Sequence, residues 1–165
     1  LWTADKPAKH GVHVDFDNML FAPKPEQTPR LPIWVGGEVQ GALKRAGRLG
    51  DGWYPVAANP RIPLDTPELY ASSLGQVHAA AAAAGRDPAG IAAAMLAIKS
   101  RIGQEQEGRD GARMIFTGSA QAIVDDIGRF GEVGLQHFLI GGDGSDLSGT
   151  IERMEQFASE VMVKF

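Results

Sequence analysis

The segment Pro32-Ile33-Trp34-Val35-Gly36-Gly37-Glu38, with the helix and strand that follow it, decides the fold class. Ile33, Trp34 and Val35 are β-branched or aromatic and Pro32 stands before them, so a short buried strand is expected. Gly36-Gly37 ends it. Ala42, Leu43, Ala46 and Leu49 then recur at helical spacing, and Gly50 is placed to close the helix in a left-handed cap. Asp51 to Val56 reads as a second strand. The result is a strand, glycine turn, helix, strand unit of about 25 residues, close to the shortest parallel crossover. Two residues without side chains at a strand's C-terminal end, facing a helix N-terminus, can turn backbone N–H groups toward an anion. The same glycines also suit a tight turn with no ligand, and they match no complete Walker or dinucleotide fingerprint.

Downstream the pattern repeats. Ala57 to Asp65 is a loop, and Thr66-Pro67-Glu68 starts a helix with a hydroxyl cap, proline in the first turn and an acid facing the dipole. That helix runs to about Ala84, where Gly85 stops it. Ile91 to Ser100 suits a buried helix or a buried strand, and its shortness between turn signals favours the strand. Gly103 to Gly118 is polar and glycine-containing, as a mobile loop would be. Thr117-Gly118-Ser119 caps a helix whose apolar face is Ile123, Val124, Ile127 and Phe130, ended by Gly134. Gln136 to Ile140 is the last strand, followed by the loop Gly141 to Asp146. A final helix carries Ile151, Met154, Phe157 and Val161 along one side. Four strand–helix units in alternation mean an α/β fold with a parallel sheet covered by helices. They are half of an eightfold barrel or a small open sheet, and periodicity does not separate the two.

The chain has 165 residues and reads as a single domain, residues 1–165. Its net charge of −4 is scattered without runs, so nucleic acid finds no electrostatic footprint. The apolar run from Ile91 to Ile98 is far too short to span a bilayer, and Leu1 to His10 shows no signal-peptide pattern. The absence of cysteine removes disulfides, thiol nucleophiles and zinc–thiolate sites, and fits a reducing, cytoplasmic setting. The chain opens on Leu1-Trp2 without an initiator Met, as a piece of a longer protein would. Residues 1–30 read as irregular chain with a hairpin, and Pro23, Pro25, Pro29 and Pro32 then punctuate an extended connector. His13, Asp15 and Asp17 share one strand face, with His10 nearby. That suits a metal cluster or a solvated face, and no matching ligand group elsewhere supports the metal, so none is expected. Gly141 to Asp146 fits one copy of a calcium-binding glycine-aspartate repeat, but such repeats work in tandem and there is no second copy, so a plain loop is expected.

Several blocks resemble a known family. They are Pro23-Lys24-Pro25, Leu31-Pro32-Ile33-Trp34-Val35-Gly36-Gly37, and the run Ala42-Leu43-Lys44-Arg45-Ala46-Gly47-Arg48-Leu49-Gly50-Asp51-Gly52-Trp53-Tyr54-Pro55. Ala84-Gly85-Arg86-Asp87-Pro88 and Gly134-Leu135-Gln136-His137-Phe138-Leu139 complete the set. Together they resemble the bacterial luciferase-like monooxygenases, especially the branch using the deazaflavin coenzyme F420. The resemblance implies the C-terminal half of a (β/α)8 TIM-type barrel, strands five to eight. It implies that Gly36, Gly37, Glu38 and Val39 help to hold the cofactor's phosphate and ribityl tail, with Tyr54, Pro55, Val56 and Ala57 near the same cofactor. The cofactor would be F420, with FMN as the alternative, and the chemistry hydride transfer with a small-molecule substrate. Val39 stands where the family usually has Ser, so a hydroxyl donor is missing. Lys9-His10 stands where an aromatic residue is common.

The family's acid and base groups lie mainly in the other barrel half, so no catalytic residue is assigned. Arg61 and His137 are available, but structural roles are expected for both, His137 as a hydrogen-bonded residue of a buried strand. Three functional readings follow: part of an oxidoreductase, a half-barrel that dimerises and binds cofactor without turnover, or a non-catalytic flavoprotein-like module. A half-barrel leaves two sheet edges and an apolar seam open, so a homodimer or association with the missing half is expected.

Overall fold

The structure is a computed structural model that describes residues 1–141 and 144–165. It divides into two compact units, Leu1–Pro32 and Ile33–Phe165. The first unit holds no helix. Its ordered feature is an antiparallel bridge in which Lys9 and Phe16 exchange N–H···O bonds of 2.9 Å each. Lys24 Nζ donates to the carbonyls of Leu1 (2.9 Å) and Ala4 (2.7 Å), which ties the ends of the unit together. His10 Nδ1 lies 2.8 Å from Asp15 Oδ1 and both side chains are well exposed, as on a solvated face. Among the described residues no three His, Cys, Asp or Glu side chains converge to hold a metal.

The second unit runs β1 (Trp34–Gly36), α1 (Gln40–Leu49), β2 (Gly52–Tyr54), α2 (Pro67–Ala83), β3 (Ala92–Ala97), β4 (Arg101–Ile102), β5 (Thr117–Gly118), α3 (Ala120–Glu132), β6 (His137–Ile140) and α4 (Leu147–Glu160). Strands β1, β2, β3 and β6 form one sheet in that order, every pair parallel, with Val35 opposite Trp53, Trp53 opposite Ala93 and Met95 opposite Phe138. Sequential parallel neighbours joined by helices are the barrel arrangement. The expected punctuation is in place. Thr66 Oγ1 accepts from the Leu69 N–H at 3.3 Å and Ser119 Oγ from the Ala122 N–H at 3.1 Å, while Gly85 (φ +70°) and Gly134 (φ +104°) close their helices in the left-handed region.

One face of the sheet meets the helices. Leu43, Trp53, Tyr70, Val77, Met95, Phe116 and Phe130 are buried there. A run of ring contacts crosses this layer: Trp53 stacks on Tyr70, Tyr70 meets Phe130, and Phe116 touches both Phe130 and Phe138. The other face carries Trp34, Tyr54, Leu96, His137 and Leu139, none of them fully buried. Trp34 on β1 and His137 on β6 have ring centroids 5.1 Å apart although two strands lie between them. A flat sheet would hold those strands about 14 Å apart. The two long side chains reach toward each other over the small residues Gly52, Ala92 and Ala94 of the strands between them. Gly52 lets the indole lie down, since a Cβ there would sit 2.7 Å from the Trp34 ring.

Five expectations are corrected. The strand expected to be buried over Ile33, Trp34 and Val35 is β1 over Trp34–Gly36, with Ile33 and Trp34 exposed, since β1 is an edge strand. Gly50 closes α1 with φ −83°, not in the left-handed region. It is needed for space, because a Cβ would meet Ala46 O at 2.8 Å and Val35 Cγ2 at 3.1 Å. Leu49 is exposed: the contact position one turn after Leu43 is Gly47, and Leu49 falls round the side of the helix. The segment after Gly103 is not structureless. Its flanks pair as β4 and β5, Arg101 opposite Thr117, with a further bridge between Glu107 and Arg113. His137 is exposed on the inner face and not buried in mid-sheet, because β6 is the outermost strand in the order β1-β2-β3-β6. In α4 the stripe also stays partly open, with Ile151 and Met154 exposed and Val161 buried just past the helix end. Gly142 and Asp143 of the calcium-like repeat lie outside the described residues.

Candidate cofactor-phosphate site

In a parallel barrel, ligands meet the C-terminal ends of the strands. Here those ends carry Gly36-Gly37 after β1 and Tyr54 to Ala57 after β2, and the register sets Gly36 directly beside Tyr54. Of the residues singled out in the sequence, Gly36 pairs with Tyr54 and Glu38 bonds to Val56. Gly37 has φ +105°, and a Cβ on it would press on Ala42 Cβ at 3.0 Å, so the turn admits no side chain. Its carbonyl accepts from Trp53 Nε1 at 3.0 Å. Val39 is the N-cap of α1 and gives no side-chain acceptor to the first-turn N–H groups. Each of α2, α3 and α4 has such an acceptor, from Thr66, Ser119 and Asp146. The Ala42 N–H turns back to the Val39 carbonyl at 2.8 Å, and no side chain caps the start of the helix at Gln40 and Gly41, behind the glycine turn.

Glu38 is 8% exposed. One carboxylate oxygen accepts from the Val56 N–H at 2.7 Å and the other from Asn59 Nδ2 at 2.7 Å. Asn59 in turn accepts from the Arg61 N–H at 2.9 Å through Oδ1. Tyr54 is half-buried and meets Trp34 edge-on, with centroids 6.3 Å apart. Pro55 and Ala57 are buried; the Pro55 carbonyl and the Ala57 N–H bond to Leu96, which fixes the end of β2 against β3. An apolar cleft of ≈ 90 Å³ lies beside them, between Val56–Ala58, Ala97–Ser100 and Met114–Phe116. Arg61 is exposed, and His137 stands against Trp34 on the inner face. Asn59 was not singled out in the sequence, although a buried Glu requires a donor and Asn59-Pro60 marks a turn close by.

A phosphate needs donors without a competing carboxylate; the turn offers backbone N–H groups, and both oxygens of the neighbouring Glu38 are already bonded, to the Val56 N–H and Asn59 Nδ2. The residues fit a phosphorylated cofactor tail. No helix among the described residues is long and apolar enough to cross a membrane.

The chain has solved structural neighbours of this architecture. A coenzyme F420-dependent tetrahydromethanopterin reductase from Methanopyrus kandleri superposes with a TM-score of 0.73 at 15% identity, over 96% of this chain and 58% of the reductase. An F420-dependent secondary alcohol dehydrogenase, solved with an F420-acetone adduct, gives 0.72 at 20% identity, over 98% of this chain and 57% of the dehydrogenase. A riboflavin lyase, RcaE, solved with modified FMN and riboflavin, gives 0.66 at 13% identity, over 96% of this chain and 48% of the lyase. The chain thus spans about half the length of these neighbours, in keeping with a partial barrel. No curated protein sequence matches it. The family model for luciferase-like monooxygenases matches residues 1–126. The chain belongs to the luciferase-like monooxygenase family.

Proposed function

We propose that this chain is the phosphate-holding part of a flavin-type oxidoreductase, with coenzyme F420 as its cofactor and FMN as the alternative. The carrying observation is the uncapped N-terminus of α1 behind Gly36-Gly37, at the C-terminal end of β1. A phosphate there accepts from the N–H groups of Gly37, Gln40 and Gly41 and meets the positive end of the dipole. Val39 contributes no hydroxyl, so the backbone carries the contact. Tyr54 and Val56 border the same strand ends, and Pro55 and Ala57 hold them in place. Two neighbours described as F420-dependent support the deazaflavin, and the lyase with modified FMN supports the alternative.

When bound, such a cofactor supplies hydride transfer at its ring. The chain's own residues hold and orient the tail, and none of them is assigned a proton to move. The substrate is a small molecule, and the open side of the sheet is covered either by the remaining strands of a full barrel or by a second copy of the chain.

The test titrates the complete protein with F420 and with FMN, following cofactor fluorescence. One of the two binds, and Gly37→Val, which forces a β-branched residue to a positive φ, weakens it by roughly tenfold or more. Failure of both cofactors to bind, or an unchanged affinity in Gly37→Val, contradicts the reading.

A further inference from the structure

We propose that Glu38 and Asn59 form a latch that holds the phosphate turn in shape, so that Glu38 serves cofactor binding as a positioning residue and not as a ligand. The proposal rests on the phosphate reading above and gives it a mechanism. A carboxylate has only acceptors, so it has nothing to offer a phosphate and repels it at close range. Yet Glu38 stands between the glycine turn and the helix whose donors the phosphate would use. Its geometry resolves the conflict. Both oxygens are occupied at 2.7 Å, by the Val56 N–H and by Asn59 Nδ2, and the group is buried.

The partner is oriented too. Asn59 Oδ1 accepts from the N–H groups of Arg61 (2.9 Å) and Ile62 (3.4 Å), which leaves the amide nitrogen facing Glu38. With Trp53 Nε1 on the Gly37 carbonyl at 3.0 Å, three bonds bind the turn after β1 to the end of β2 and the loop that follows it. Two adjacent glycines lose more freedom on ordering than any other pair of residues, and the latch supplies that order before a ligand arrives.

The direction of the Glu38–Asn59 bond makes the latch testable by exchange. Glu38→Gln sets an amide nitrogen or a single acceptor where two acceptors are needed, and meets the Asn59 amide donor to donor. Asn59→Asp sets two carboxylates face to face. The double variant Glu38→Gln/Asn59→Asp reverses the bond, the Gln amide donating to an Asp that still accepts from the Arg61 N–H.

The experiment measures, in the complete protein, affinity for F420 against its phosphate-free deazaflavin core and for FMN against riboflavin, with thermal unfolding in parallel. The wild type prefers the phosphorylated member of the pair that binds. Glu38→Gln lowers that preference by roughly tenfold and Asn59→Asp by more, while the double variant recovers to within about threefold of wild type. An unchanged preference in Glu38→Gln, an equal loss for phosphorylated and phosphate-free forms, or no recovery in the double variant overturns the latch. If Glu38→Gln does not fold, Asn59→Ala carries the test: it leaves the Val56 bond in place, and an unchanged preference in it overturns the proposal. A wild type with no preference for phosphate overturns the phosphate reading itself, and the latch with it, before any variant is made.

Discussion

Asp126 shows how much a single residue can hold. It has no exposed surface and accepts two bonds from the Arg113 guanidinium (2.9 and 2.8 Å), one from the Phe116 N–H (2.8 Å) and one from Arg129. The hydrogen bond to Asp126 pushes the Arg113 guanidinium above its already high ordinary value. Breaking a buried pair from one side costs about 3–5 kcal/mol, and because Arg113 keeps some exposure we expect Asp126→Ala to cost about 3 kcal/mol in urea unfolding. Arg129 is more than half exposed, so Arg129→Ala should cost less than about 1 kcal/mol; an equal effect of the two would contradict this account. Tyr70 gives a pH signature. Burial raises its phenol, whose hydroxyl donates to the Ala94 carbonyl at 3.2 Å. The unfolded phenol ionises near pH 10 while the folded one stays neutral, so this stabilisation is complete below about pH 10 and is lost as pH rises beyond it. Tyr70→Phe should flatten that alkaline limb and cost about 1 kcal/mol at neutral pH for the lost bond. Identical alkaline slopes in the two proteins would rule this out. The glycine turn was legible at this scale because Gly-Gly after a strand has few uses. Asp126 was not, since it sits three residues after Ile123 on the face that periodicity assigns to the core, and its partner lies 13 positions back in a stretch that reads as loop.

Between elements, the closest fit is α1 on α2. A Cβ at Gly47 would meet the Val77 carbonyl, Ala80 Cβ at 2.7 Å and Ala81 N at 2.8 Å, so the helices touch backbone to side chain there. Two effects compete in Gly47→Ala. Helix propensity favours alanine by about 1 kcal/mol, while forcing a methyl into a closed contact costs about 1–3 kcal/mol or more. The obstacle is main chain and cannot step aside, so the steric cost wins and the variant is less stable. Gly75 in α2 has nothing within 4 Å of its Cβ position, and Gly75→Ala should stabilise by about 0.5–1 kcal/mol. Thermal unfolding of both variants checks the pair of signs. The same proximity explains Arg86, whose guanidinium donates to the Gly47 and Gly50 carbonyls at 2.6 Å each and closes the end of α1 from the turn after α2. Elements with local signals were readable: hydroxyl caps, stop glycines and β-branched runs act within a few residues. Strands β4 and β5 were not, because each has two residues and they pair across 14 intervening positions without any alternation to mark them. Nor was the role of Gly50, which depends on Val35 in another element.

For the whole chain, the sheet ends at β1 and β6, and its inner face exposes Trp34, His137 and Leu139. Leu147, Ile151 and Met154 of α4 are open as well. Bare parallel edges beside apolar surface favour association. The chain on its own should therefore sediment as dimers or larger species at micromolar concentration, and a sharp monomer that unfolds cooperatively would contradict that. The alternation of strands and helices showed the α/β class in the sequence, but the contact of Trp34 with His137 did not show, because it joins the two edge strands of the sheet across most of the chain. The central claim is a phosphate at the start of α1. Its most direct test is a set of amide proton–nitrogen correlation spectra of the complete protein, titrated with whichever cofactor binds and with the phosphate-free form. The account predicts that the amides of Gly37, Gln40 and Gly41 shift only when the phosphate is present. Silence at those amides, with shifts instead around the cavity lined by Arg101 and Arg153, would place the phosphate elsewhere and contradict it.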